Sequence, residues 1–198
     1  TGPDGVQLSF SPGRIDPLNS AFSSSRKPLA GEFLFHGRRF FVIANHFNSK
    51  QGDQPLFGRN QPPALLTEAK RLQQAQVVNA FVSDLLSLEA DAWVIVLGDL
   101  NDFPFSAPLQ ALAGGELDHL VASLPAEEQY TYIFEGNSQA LDHILVSPAV
   151  STFSAPIVDI VHLNAEMLPS QRPTDHDPVI AWLTFAEQSR VFLPMVTK

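Results

Sequence analysis

The sequence predicts an α+β domain, and three observations carry that expectation. Gly31-Glu-Phe-Leu-Phe35 and Arg39–Asn45 are apolar runs around a short turn signal, His36-Gly37-Arg38, which is the pattern of a β-hairpin. A long segment after Pro62-Pro63 repeats apolar residues at three- and four-residue spacing, which is the pattern of an amphipathic helix. Val94-Ile-Val-Leu97 is a short, β-branched run closed by Gly98, and it reads as a buried strand. At 198 residues the chain can form one domain with a substantial core.

Thr1 to Ser25 is rich in Ser, Pro and Gly and reads as loop. Arg39–Asn45 is continuously apolar beyond its first residue, so it is expected to be a central strand buried on both faces. It runs into the polar stretch Asn45-His46-Phe47-Asn48-Ser49-Lys50. For His46 alone, a satisfied structural histidine is the alternative to a functional one. Gln51 to Pro63 reads as loop. The helix that follows presents Leu65, Ala69, Leu72, Ala75, Val78, Val82 and Leu85, while Glu68, Lys70, Arg71 and Gln74 are assigned to solvent.

After the strand at residues 94–97, Asp99 and Asn101 follow Gly98 at once. Residues two apart in a strand point to the same side, so both would present oxygen at the strand's carboxyl end. The structural alternative is a polar turn in which Asp99 or Asn101 caps a helix. Ser106 can cap a short helix, Ala107 to Ala113, with Pro108 in its first turn and Gly114-Gly115 ending it. A second hairpin is expected from Tyr130–Phe134, a turn at residues 135–138, and Ala140–Val146. There Asp142 and Ile144 share one face, and Leu141, His143 and Leu145 share the other. A carboxylate within an apolar strand is costly unless paired, so Asp142 needs a partner. Further strands are expected at Ile157–Leu163 and Val179–Phe185, on either side of Thr174-Asp-His-Asp-Pro178. One domain over residues 1–186 is expected, with 187–198 as a tail. Within that tail the apolar stretch Val191 to Val196 is either an edge strand or an unpacked terminal segment.

Composition excludes several classes of function. The formal net charge is −9, so a polyanion cannot be bound by bulk charge; bound cations and a few local Arg or His must supply the attraction. There is no Cys, which excludes disulfides, thiolate metal sites and Cys nucleophiles. Mean hydropathy is +0.02, and no apolar run approaches the roughly 20 residues of a membrane span.

Three strand ends carry chemistry: Asn45-His46, Asp99-Leu-Asn101 and Asp175-His176, with Asp142 buried nearby in the pattern. Metal-assisted hydrolysis of a phosphate ester uses all of them. Carboxylate oxygens hold Mg²⁺ or a similar hard cation. The cation polarises the phosphoryl group and stabilises the leaving oxygen. A carboxylate-held histidine deprotonates water, and a second histidine with an arginine binds the non-bridging oxygens. Zinc is the weaker rival, because there is no Cys and no His-Glu-x-x-His pair.

These motifs make the sequence similar to the endonuclease/exonuclease/phosphatase superfamily, that of pancreatic-type deoxyribonucleases. The matching stretches are Ser25-Arg-Lys-Pro-Leu29, Asn45-His46, Gly98-Asp-Leu-Asn101, Leu141-Asp-His143 and Thr174-Asp-His-Asp-Pro178. A lone Gly-Asp-x-Asn is weak, whereas five motifs in the family's order are specific. Residues 45–50 and Pro55-Leu-Phe-Gly-Arg59 resemble, more narrowly, the large secreted bacterial nucleases of the group. The resemblance implies a four-layer αββα sandwich of two mostly antiparallel sheets. It implies His46 and His176 as the active-site histidines, with Asp142 orienting His176. Asp99 and Asn101 would contact metal and scissile phosphate, Asp175 would be a further metal ligand, and Arg26 would hold the phosphate. The implied cofactor is Mg²⁺, with Mn²⁺ or Ca²⁺ as alternatives.

The family's opening strands, with their Asn, metal-binding Glu and acidic partner for the first histidine, have no counterpart before His46. The chain is therefore expected to begin mid-domain, to bind Mg²⁺ weakly, and to show an exposed apolar face. Self-association or an upstream segment would complete it. The expected activity is that of a secreted bacterial nuclease acting on DNA or RNA, extracellular or at the cell surface. A phosphomonoesterase, a phospholipid-type phosphodiesterase and a non-catalytic truncated domain are the alternatives.

Overall fold

His36 and Gly37 take positive φ, 47° and 73°, and close a two-residue turn between β2 (Leu29–Phe35) and β3 (Arg38–His46). Turns with that backbone sign match the right-handed twist of paired strands, which is why the hairpin forms here. The computed structural model describes residues 5–184. Within them β1 (Gly13–Arg14) adds to the edge of β2. The long helix α1 (Glu68–Leu88) then carries the chain over to β4 (Trp93–Asp99), which pairs with β3 in parallel. After α2 (Ala107–Ala113) come β5 (Asp118–His119), the small hairpin β6 (Tyr132–Phe134) and β7 (Asn137–Gln139), and β8 (Asp142–Val146). The short helix α3 (Pro148–Ser154), β9 (Ile157–Ile160) and β10 (Val179–Trp182) follow.

The main sheet has the order β1-β2-β3-β4-β8-β5, and all its pairings except β3–β4 are antiparallel. Alternation along the strands gives it two apolar faces. Phe41, Ile43, Val94, Val96 and Leu145 point to α1 and α2, where they meet Ala75, Val78, Val82, Leu109 and Leu112. Trp93, Ile95, Ile144 and Val146 point the other way, to Val150 of α3 and to Val158, Val179 and Ala181 of the antiparallel pair β9–β10. Helices, main sheet and a second, two-stranded sheet are thus stacked as layers. By register, Ile157, Ile180 and Trp182 lie on the outer face of the second sheet, and all three are exposed.

Several expectations need correction. β3 is buried on one face through Phe41, Ile43 and Asn45. On the other, Phe40 and Val42 are half-buried and Ala44 is exposed, because the second sheet covers only part of it. The second hairpin is β6–β7, closed at Glu135-Gly136. The apolar run 142–146 leaves it to pair with β4, whose buried face it completes. β9 ends at Ile160. The opening loop is no mere tether, since Val6, Ile15, Ala21 and Phe22 are buried in the core. Phe185 and the stretch 191–196 lie outside the described residues.

The largest correction concerns the polar face of α1. Arg71 and Gln74 are fully buried. Arg71 Nε donates to Asp102 Oδ2 at 2.7 Å, and its Nη2 to Asp53 Oδ2 at 3.0 Å. Lys50 Nζ stands 3.5 Å from Asp102 Oδ1. Gln74 accepts from the Asn48 amide at 2.8 Å and donates to the Ala21 carbonyl at 2.9 Å. Together they tie the loop after β3, and the loop after β4, to the helix. Burial works to raise the Asp53 pKa, but the Thr67 amide and Arg71 outweigh it, so the group titrates below its ordinary value. A depressed carboxylate contributes stability above its unfolded pKa and loses it as pH falls through the lower folded value. Removing one member of a buried ion network strands the others. Arg71→Met is therefore expected to cost about 3–5 kcal/mol in urea denaturation.

Candidate active site

His46, Asp99 and Asp142 are direct cross-strand neighbours. In register, His46 of β3 stands opposite Asp99 of β4, and Asp99 stands opposite Asp142 of β8. Alternation puts all three on the face that looks toward the second sheet, at adjoining strand ends. Gly98 allows the strands to come this close. Its φ is 130°, and a Cβ built there would sit 2.0 Å from the Asn45 carbonyl oxygen. Asn45 is buried beside it, donating to the carbonyls of Ile43 and Leu97 at 2.9 and 3.3 Å.

His176 reaches the same place from the loop that precedes β10. Its Nδ1 lies 2.6 Å from Asp142 Oδ2, and that oxygen also accepts from Thr131 Oγ1 at 2.7 Å. The hydrogen bond to Asp142 raises the His176 pKa above its ordinary value, against the effect of partial burial. His46 Nε2 lies 3.3 Å from Asp99 Oδ2. Burial and the neighbouring Asp142 charge raise the Asp99 pKa, while His46 and His176 oppose the rise. Two carboxylates side by side cannot both ionise freely, so cationic partners are built in around them.

Asn101 sits in the left-handed region, φ 53°, at the turn that leaves β4. Its amide donates to Asp99 Oδ1 at 2.9 Å, and its Nδ2 donates to the Phe47 carbonyl at 3.2 Å. A cavity of about 430 Å³ opens against Asn101 and His176, with Lys50, Phe103 and Tyr132 also in its wall. His46, Asp99, Asn101, Asp142 and His176 thus come together. Asp175 is exposed next to His176, and its charge contributes to raising that histidine's pKa. Arg26 is exposed in a neighbouring groove formed by residues 24–27 and 47–49, which meets the cavity at Ser49 without bringing Arg26 into the cavity wall.

The two carboxylates fit a metal ion, with His176 close beside them. Ligand atoms of Asp99, Asp142 and His176 all lie within 4.8 Å of one another. Two carboxylates make the set oxygen-rich, as hard divalent cations require. Asp142 uses Oδ2 for both His176 and Thr131, which leaves its Oδ1 for an ion. The expected ligand Asp175 is outside this group, and Asp142, expected only as an orienting residue, is inside it.

Several residues that build the site carry no signal of it in the sequence. Thr131 is fully buried and also accepts from the amides of Leu141 and Asp142, at 3.1 and 3.2 Å. A lone Thr in a half-exposed strand gives no signal of that role. The Tyr132 ring lies 4.8 Å from the His176 ring. Asp177 has an anchoring role. Its Oδ1 accepts from the amides of Leu163, Asn164 and Ala165 at 3.1, 2.7 and 2.9 Å, which pins the loop carrying His176. Burial works to raise its pKa, but those amides outweigh it and hold the carboxyl low. Beneath β8, His143 Nε2 lies 2.8 Å from the Asp102 carbonyl and its Nδ1 lies 3.0 Å from His119 Nε2. Burial, with His143 alongside, pushes His119 down to about 3, so the ring is neutral near pH 7.

A model of the Endonuclease/Exonuclease/phosphatase family matches residues 9–171. No curated protein matches the chain in sequence. Among solved structures, truncated TDP2 from Caenorhabditis elegans superposes with a TM-score of 0.63 and 16% identity, over 87% of this chain and 64% of that one. The mannosyl-6-phosphatase of Bacteroides thetaiotaomicron gives 0.55 and 19%, over 82% and 61%. TDP2 of D. rerio complexed with single strand DNA product gives 0.51 and 20%, over 77% and 59%. The chain thus spans less than two thirds of the length of these structures, and their likeness is one of fold. Among the described residues no helix is long and apolar enough to cross a membrane.

Proposed function

The chain belongs to the endonuclease/exonuclease/phosphatase family, and from that premise we propose that it hydrolyses phosphodiesters of nucleic acid with a divalent cation, Mg²⁺ first among the candidates. The observation that carries the reading is the Asp142–His176 pair standing beside Asp99, with His176 and Asn101 lining a cavity. Family membership supports phosphoester hydrolysis. The choice of a diester in nucleic acid draws on the DNA product held by one structural neighbour.

Asp99 would hold the ion, with Asp142 Oδ1 beside it and Asn101 and Asp175 at the rim. When bound, such an ion offsets charge on the phosphoryl group and on the leaving oxygen. Asp142 fixes His176 with Nδ1 as donor, leaving Nε2 to take a proton from the attacking water. The water oxygen bonds to phosphorus, the bond to the leaving oxygen breaks, and a proton passes to that oxygen. His46, held by Asp99, and the Asn101 side chain are proposed to bind the non-bridging oxygens, where charge develops. Arg26, in the neighbouring groove, would meet a phosphate further along the strand. An extracellular or cell-surface setting in a bacterium belongs to the same proposal and rests on the resemblance of residues 45–50 and 55–59 to secreted nucleases.

A phosphomonoesterase is the second reading, because one neighbour is a sugar phosphatase. Turnover of plasmid DNA, RNA, bis(p-nitrophenyl) phosphate and p-nitrophenyl phosphate separates the readings. Diester cleavage that needs Mg²⁺ and stops in EDTA is expected. Faster turnover of the monoester would move the assignment to the second reading, and no turnover of any substrate would remove both.

A further inference from the structure

Large aromatic side chains stand exposed at one end of the candidate active site. Phe105 is 72% exposed, Phe57 81% and Phe134 49%. Exposed phenylalanines cost hydration free energy unless something covers them in use. Two of them stack on a neighbouring ring. Phe103 and Phe105 stack with ring centroids 5.4 Å apart and planes 11° from parallel. Tyr132 and Phe134 are 6.3 Å apart and 13° from parallel. Tyr132 in turn lies against His176, so one row of rings runs from the catalytic histidine outward through Tyr132 to Phe134.

The two rows face one groove. A cleft of about 200 Å³ is walled by Phe103 and Phe105 on the loop after β4, by Phe134 at the tip of the β6–β7 hairpin, and by Phe57. Pro55, Leu56, Phe103, Phe134 and Gln139 line both this cleft and the cavity against His176, so the two are continuous. Glu135, Asn137, Ser138 and Gln139 rim the cleft, with Asn137 Nδ2 donating to the carbonyls of Phe134 and Glu135, and Lys50 Nζ lies 4.5 Å from the centre of the Phe103 ring.

We propose that this aromatic cleft is a base-binding subsite, in which unpaired nucleobases next to the scissile phosphate stack on Phe105 and Phe134; this rests on the phosphodiesterase reading above. Flat rings, nearly parallel within each pair, suit flat ligands, and base–aromatic stacking is indifferent to base identity. The amide and hydroxyl groups at the rim match base edges, for which an acyl chain has no use. In a duplex, base faces are already covered by their neighbours, so entry requires a single strand or an unstacked end. The subsite therefore selects single-stranded over double-stranded substrate. It also supplies affinity that an acidic chain cannot obtain from bulk charge.

The test uses the exposed residues, whose loss leaves the core intact: Phe105→Ala, Phe134→Ala and the double variant. Anisotropy of a fluorescein-labelled oligo(dT) in EDTA reads binding without turnover, and kcat for bis(p-nitrophenyl) phosphate with Mg²⁺ reads the chemistry separately, since any stacking of the ester's own rings in the cleft appears in KM. Each single variant is expected to weaken oligo(dT) binding by about 5- to 100-fold, the range given by losing one stacked base. Duplex binding should stay unchanged, and so should kcat on the small ester in Phe105→Ala, whose ring lines the outer cleft and not the cavity against His176. Unaltered oligo(dT) binding in the double variant overturns the proposal, as does an equal loss for duplex. So does variant-sensitive binding of phosphatidylcholine vesicles with none to oligo(dT), which would make the cleft a lipid contact. If the wild-type protein fails on the small ester, the phosphodiesterase reading falls. Turnover of that ester without single-strand binding removes the subsite alone.

Discussion

Asp142→Asn is expected to lower the turnover rate by about 10²- to 10⁴-fold while leaving the fold intact, because it disarms the proposed base without removing it. The carboxylate at 2.6 Å fixes which nitrogen of His176 carries the proton and stabilises the imidazolium that forms. An amide of the same shape can present either an oxygen or an NH₂ group to that nitrogen, so the tautomer is no longer imposed. The change also has a signature independent of rate. Asp142 is the main cause of the raised His176 pKa, so NMR titration of the metal-free variant should show the ring losing its proton at lower pH than in the wild type. The sign for stability follows. A raised histidine pKa contributes stability below the unfolded value near 6.5 and loses it as pH rises through the folded value. The wild type should therefore lose its advantage over Asp142→Asn as pH climbs past neutrality. An unshifted His176 titration would break the link between this carboxylate and the histidine.

Gly98→Ala is expected to damage both stability and activity. The new Cβ would fall 2.0 Å from the Asn45 carbonyl oxygen and 2.9 Å from its carbon, on a backbone with φ 130° that L side chains rarely adopt. No flexible side chain can yield there, because the obstacle is the backbone of the neighbouring strand. β3 and β4 must separate or β4 must twist, and either movement parts His46 from Asp99. Strained φ and overpacking together give about 3 kcal/mol or more. Thermal denaturation should show the loss, and hydrolysis should fall further than the unfolded fraction accounts for. A stable, fully active variant would mean that the strand spacing does not set the site.

The strand ends were legible in the sequence because each couples a β-branched apolar run to polar residues at its end, as at Val94–Asp99 and Phe40–His46. The family's motifs also fell in order along the chain, which indicated the layered α+β fold. Arg71 and Gln74 were not legible. They sit at three- and four-residue spacing like any solvent face, and their partners Asp53, Asp102 and Asn48 are far away in sequence. Periodicity reports which side of a helix is polar, but not whether a loop lies over that side. The second hairpin misled for a related reason. Consecutive strands usually pair, yet residues 142–146 are far more buried than Tyr132–Phe134, and burial was satisfied against β4. Thr131 is invisible for the same reason as Arg71: its importance lies in the carboxylate it meets after folding.

The proposed role of Asp99, Asp142 and His176 as a cation-dependent phosphodiesterase centre is tested by a Mg²⁺ titration of bis(p-nitrophenyl) phosphate hydrolysis by the wild-type chain and by His176→Gln. In the wild type the rate should rise to saturation with Mg²⁺ and vanish in EDTA, while in the variant it should stay near background at every concentration. A rate indifferent to Mg²⁺, or one retained by His176→Gln, would contradict the account.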